Sequence, residues 1–86
     1  MKNVLITPAA DDQLKDLPRP VRLRMATVIV ELAKWPAVSN VKALTGQWKG
    51  WYRKRIGDYR VRFFVRADTV IVDKVGHRSK FYEGNA

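Results

Sequence analysis

Trp51-Tyr52-Arg53-Lys54-Arg55-Ile56-Gly57-Asp58-Tyr59-Arg60-Val61-Arg62-Phe63-Phe64-Val65-Arg66 is the stretch that decides the fold. Its apolar residues recur at every second position, the period of a half-buried strand. Gly57-Asp58 interrupts it as a two-residue hairpin turn, because Gly takes positive φ without strain and Asp tolerates it better than most. That turn sets a register: Ile56 opposite Tyr59, Arg55 opposite Arg60, Lys54 opposite Val61 and Arg53 opposite Arg62. One face then carries Tyr52, Ile56, Tyr59, Val61, Phe63 and Val65, and is the face to be covered. The other carries Trp51, Arg53, Arg55, Arg60, Arg62, Phe64 and Arg66. Lys54 is a misfit on the apolar face, either snorkelling at its rim or marking a bulge.

Upstream the period changes to that of helices. Asn3–Ile6 reads as a short strand, and Thr7-Pro8 as an N-cap followed by Pro at the first helical position. A helix from about Pro8 to Leu17 follows, ended by Pro18-Arg19-Pro20. The second helix starts near Pro20, with a core stripe of Val21, Met25, Val28, Leu32 and Trp35, and stops at Pro36. Leu23 and Val30 fall on nearly its opposite side, where they are either half-covered by the first helix and the 36–40 loop or left as a docking stripe. Downstream, Val70–Val75 is a third strand of the meander. If the Ala67-Asp68 turn is tight, Asp73 falls beside Arg62. The expected fold class is α+β: a short N-terminal strand, a two-helix hairpin, then a three-stranded antiparallel meander with the helices on one sheet face, in a single domain over 1–86.

The chain has 86 residues and a formal charge of +9. Residues 1–40 hold six basic and four acidic side chains, and residues 41–86 hold eleven and four, so the halves carry +2 and +7. The second half is the one that faces a polyanion. With no Cys and one His, disulfides, thiol chemistry and an all-protein metal site are not expected, and no cofactor is implied. The opening residues lack a signal-peptide core, and no apolar run approaches the roughly 18 residues of a membrane span. The expectation is a cytoplasmic protein without a membrane partner.

Directly opposed Arg pairs are unfavourable by up to about 1 kcal/mol each relative to neutral pairs, so folding alone does not select them. Guanidinium groups match phosphate bidentately. Trp51 and Phe64 on the same face suit base stacking or ordinary cross-strand packing. Most enzyme templates fail for want of a P-loop, a nucleophile elbow or paired carboxylates. Metal-free RNA cleavage survives, since it needs a 2′-OH aligned on its phosphate, stabilisation of added negative charge, and a proton for the leaving oxygen. Gly76-His77-Arg78-Ser79-Lys80-Phe81-Tyr82 offers such donors.

Arg-x-Gly-Asp-Tyr-Arg at 55–60, followed by Gly-His-Arg-x-x-x-Tyr at 76–82, resembles the RelE-like toxins of the RelE/ParE toxin–antitoxin superfamily. The resemblance extends over nearly the whole chain, from the first strand through Leu44-Thr45-Gly46 to Phe81-Tyr82. It implies a toxin that cuts mRNA in the ribosomal A site until an antitoxin neutralises it. It also implies catalytic roles for Arg53, Arg55, Arg60, Arg78 and Tyr82. Arg60 would stabilise the phosphorane-like charge, Arg78 would serve the leaving oxygen, and Tyr82 would orient the nucleophile or stack on a base. Arg53 and Arg55 stand where relatives often have Lys; Arg is a poor proton acceptor, so activation by positioning is expected there. Lys49, Trp51, Lys54, Arg62, Phe64, His77 and Lys80 are the further candidates for RNA or ribosome contact, with His77 equally placed for a structural role. Leu23 and Val30 are the candidates for antitoxin binding. Two other activities fit the same residues less fully: a ParE-like poison of DNA gyrase, which does not need the arginine set, and an RNA- or ribosome-binding module without catalysis.

Overall fold

The computed structural model describes residues 1–81. The elements are β1 (Asn3–Ile6), α1 (Pro8–Lys15), α2 (Arg19–Glu31), β2 (Val41–Ala43), β3 (Trp51–Ile56), β4 (Tyr59–Arg66), β5 (Thr69–His77) and α3 (Arg78–Phe81), with short 3-10 turns at Leu32–Lys34 and Gly46–Trp48. They form one five-stranded sheet in the order β1-β5-β4-β3-β2. The expected meander β3-β4-β5 is its centre. Two strands flank it: the expected β1 pairs in parallel with β5, and β2, which was not expected, pairs antiparallel with β3.

The hairpin register is the one set by the turn, with all six pairs from Trp51↔Phe64 to Ile56↔Tyr59. Gly57 takes the left-handed φ of 58° that a side chain would strain. The Thr7 hydroxyl accepts the Ala10 N–H at 3.2 Å and so caps α1. This helix ends at Lys15, two residues before the expected Leu17, because Leu17 precedes Pro18 and is steered out of helical conformation. The helix α2 gives way to a 3-10 turn at Leu32 rather than running to Trp35.

The core lies between the helices and one sheet face. Met25 and Ile29 from α2, Leu32 from the 3-10 turn after it and Ala10 from α1 meet Ile56, Val61, Phe63, Val70, Val72 and Val75. Ile29, outside the expected stripe, completes it, while Trp35 packs its ring 4.5 Å from Tyr52 and 5.3 Å from Phe63. A bulge makes the β5 contribution possible. Phe63 pairs with Val72 but Arg62 with Lys74, so Asp73 is an extra residue. It resets the alternation, so that Val70, Val72 and Val75 all point into the core. Beyond the end of β1, the Gln13 side chain of α1 accepts the Val75 N–H at 2.9 Å and satisfies the open edge of β5.

Candidate RNA-facing site

The sheet face away from the core is built of cross-strand rows. Lys42, Arg53, Arg62 and Lys74 are successive partners across β2, β3, β4 and β5. In the next row Arg55 stands opposite Arg60, and Arg60 opposite Gly76. Asn40, Val41, Lys42, Arg53, Arg55 and Arg60 line a groove along the β2 edge of this face. Three of the five expected catalytic residues therefore share one concavity, and Lys42 joins them. Lys42 was not among the expected residues because a three-residue strand is too short to show a period; the apolar Val41 shortly before the period-2 strand was the available signal.

Arg60 is nearly buried, at 9% exposure. Its Nη1 donates to the carbonyls of Gly57 at 2.8 Å and Tyr59 at 2.9 Å. The carbonyl between them, that of Asp58, accepts the backbone N–H of Arg78 at 2.8 Å. Three consecutive carbonyls of the β3–β4 turn thus hold two expected catalytic residues from different elements. The Arg78 side chain itself is open to solvent, with Nε 3.8 Å from an Asp58 carboxylate oxygen. A pair so exposed and so long contributes little to stability and leaves the guanidinium available. Arg55 is exposed, and among the described residues no carboxylate lies within ion-pair distance of it. Tyr82 lies outside the described residues.

Several expected RNA contacts are redirected inward. Lys54 is only 6% exposed, and its Nζ donates to the Ser39 carbonyl at 2.6 Å, tying the loop before β2 to β3. It is a structural cation and is withdrawn from the RNA-facing set. Arg62 makes a forked ion pair with Asp73, Nη2 to Oδ2 at 2.7 Å and Nε to Oδ1 at 3.0 Å. Its guanidinium also lies 4.2 Å from the Trp48 ring centre. Both partners of the pair are mostly covered, so Arg62 is likewise withdrawn. Trp51 packs between Phe64, at 4.5 Å, and Trp48, at 5.2 Å, so the two expected stacking residues form a small outer core with Trp48, which the sequence reading did not single out. His77 faces Tyr59 and Ser79. Lys49 and Lys80 are exposed and able to meet an anion.

The Arg62–Asp73 pair yields a stability prediction. Arg62→Ala leaves the Asp73 carboxylate unpaired under partial cover and empties the face of Trp48. Urea unfolding should show a loss of roughly 1–3 kcal/mol. An unchanged midpoint would mean the outer cluster is idle.

Among the described residues no cluster of three or more His, Asp or Glu is placed to hold a metal, and no helix is long and apolar enough to cross a membrane. A five-stranded, mostly antiparallel sheet with a helical layer on one face is also the fold of solved RelE toxins. Residues 4–82 match the family described as ParE toxin of type II toxin–antitoxin system, parDE, and the chain belongs to this RelE/ParE toxin family. Toxin RelE3 of Methanocaldococcus jannaschii is 33% identical over 73 residues, covering 81% of this chain and 83% of that protein. Among solved structures, the toxin–antitoxin complex RelBE2 from Mycobacterium tuberculosis matches with a TM-score of 0.80 at 25% identity, over 90% of this chain and 98% of that one. The RelB–RelE antitoxin–toxin complex from Methanococcus jannaschii matches with a TM-score of 0.76 at 28% identity, over 92% and 95%. The protein is a RelE-like type II toxin.

Proposed function

We propose that this toxin is a ribosome-dependent endoribonuclease that cleaves mRNA in the A site. The observation that carries the proposal is the groove in which Lys42, Arg53, Arg55 and Arg60 converge. A strand path with this density of basic side chains is suited to a phosphodiester. In the proposed reaction the 2′-OH attacks the adjacent phosphorus, the P–O5′ bond breaks, and the products are a 2′,3′-cyclic phosphate and a 5′-OH. Arg60, held rigidly by its own turn, stabilises the charge that builds on the non-bridging oxygens, and such fixed donors need no reorganisation at the moment of reaction. Arg78 lies one carbonyl away and serves the leaving 5′-oxygen. Tyr82 orients the nucleophile or stacks on the base. Arg53, Arg55 and Lys42 neutralise the backbone, and alignment of the 2′-OH supplies the activation that a guanidinium cannot provide as a base.

Replacing Arg53 or Arg55 by Ala should lower cleavage and weaken ribosome binding. If each side chain meets one phosphate, each replacement should also flatten the slope of log affinity against log salt by about 1. A defect with no salt dependence would remove the phosphate assignment. The match to a family described as ParE keeps a gyrase-directed poison as the second reading; it predicts that these variants remain fully toxic.

The proposed partner in regulation is a cognate antitoxin, as in the RelBE2 and RelB–RelE complexes matched above. Leu23 and Val30, 58% and 70% exposed on α2, are its proposed docking residues. Changing both to Ser should weaken antitoxin affinity at least tenfold, measured by calorimetry, while sparing cleavage by free toxin. Unaltered affinity would place the antitoxin elsewhere.

A further inference from the structure

The leading N–H groups of α3 have no partners within the helix and need them from outside. The Arg78 N–H is taken by the Asp58 carbonyl at 2.8 Å. The next one, from Ser79, donates to His77 Nδ1 at 3.1 Å, and the Ser79 hydroxyl lies 2.8 Å from the same nitrogen. His77 precedes the helix, so this is a side-chain N-cap, the place ordinarily held by Ser, Thr, Asp or Asn. The imidazole is steadied by Tyr59, its cross-strand partner, whose ring meets it edge-on at 5.2 Å. At the other end of α3, Lys74 Nζ donates to the Phe81 carbonyl at 2.8 Å, and the Phe81 ring is buried over Gly76. A nitrogen that accepts a backbone N–H presents its lone pair, which places the ring proton on Nε2.

We infer that His77 is a positioning residue: as the N-cap of α3 it fixes Arg78 against the β3–β4 turn, instead of contacting RNA or transferring protons. This rests on the role proposed above for Arg78. The geometry makes the inference selective between two substitutions. Asn carries its Oδ1 where His carries Nδ1 and keeps the cap; Gln carries its terminal group where His carries Nε2 and loses it.

The experiment compares His77→Asn, His77→Gln and His77→Ala in the full chain, with Arg78→Ala alongside. Amide exchange at Ser79, single-turnover cleavage on programmed ribosomes, and ribosome affinity are read for each. Gln and Ala should speed Ser79 exchange about fivefold, the usual weight of a cap. They should slow cleavage roughly 10- to 100-fold, the range expected when a reacting group is slightly misplaced. Ribosome affinity should stay within about twofold, because positioning acts on the chemical step and not on binding. Asn should restore exchange and cleavage together. Full activity in Gln with loss in Asn would overturn the inference and put the function at Nε2, and so would unchanged Ser79 exchange in all three. If Arg78→Ala cleaves normally, the proposed role of Arg78 fails instead, and the exchange data still decide the cap. Should Ala unfold, the Asn and Gln pair carries the comparison.

Discussion

Arg60→Ala is expected to lower mRNA cleavage by roughly 10²–10³-fold, the usual consequence of removing a fixed donor from a developing anion. Relief of the like-charge pair with Arg55 would by itself lead one to expect little loss of fold from this change. The structure changes that expectation. Arg60 Nη1 is the hydrogen-bond donor to both the Gly57 and Tyr59 carbonyls, and the residue is 9% exposed. Truncation strands two carbonyls at the turn that also anchors Arg78, so a loss of about 1–3 kcal/mol of stability should accompany the catalytic loss. Arg60→Lys separates the two effects: it keeps one charge and one route to the carbonyls but not the planar fork. We expect the Lys variant to recover most of the stability and little of the activity. A folded Arg60→Ala protein that arrests growth as strongly as the parent would remove Arg60 from the mechanism.

An mRNA bearing a 2′-O-methyl group at the scissile nucleotide should resist cutting altogether, because the proposed nucleophile is that ribose oxygen. No side chain in the groove lining, which is Asn40, Val41, Lys42, Arg53, Arg55 and Arg60, offers a hydroxyl, thiol or carboxylate in its place. Unmodified mRNA should yield a 2′,3′-cyclic phosphate or its 3′-phosphate hydrolysis product and a 5′-OH. Cleavage of the methylated strand at the same bond, or a 3′-OH product, would exclude 2′-OH attack. Both ends can be read by enzymatic end-labelling of the fragments.

Much of this site was legible because it sits on a hairpin, where a local turn fixes a long register. Gly57-Asp58 determined that Arg53 meets Arg62 and that Arg55 meets Arg60. The flanking strands were less legible. Asn3–Ile6 reads as a strand, but its partner lies more than sixty residues away in β5 and no local pattern names it. Val41–Ala43 is three residues long, too short for a period, so Lys42 did not enter the expected groove. The Asp73 bulge is visible only once Val70, Val72 and Val75 are known to share a face. Asp73 does reach Arg62 as expected, but the paired guanidinium lies over Trp48, which turns an expected RNA-binding residue into packing. Lys54 broke the apolar alternation in plain view. What the sequence lacked was the Ser39 carbonyl waiting for it across a loop.

Ribosome-dependent cleavage is tested most directly by incubating the purified toxin with ribosomes programmed on a defined mRNA and mapping breaks by primer extension, with a gyrase supercoiling assay on the same preparation. Breaks confined to the codon in the A site, absent from naked mRNA and without effect on supercoiling, are the predicted result. Intact mRNA together with inhibited gyrase would contradict it.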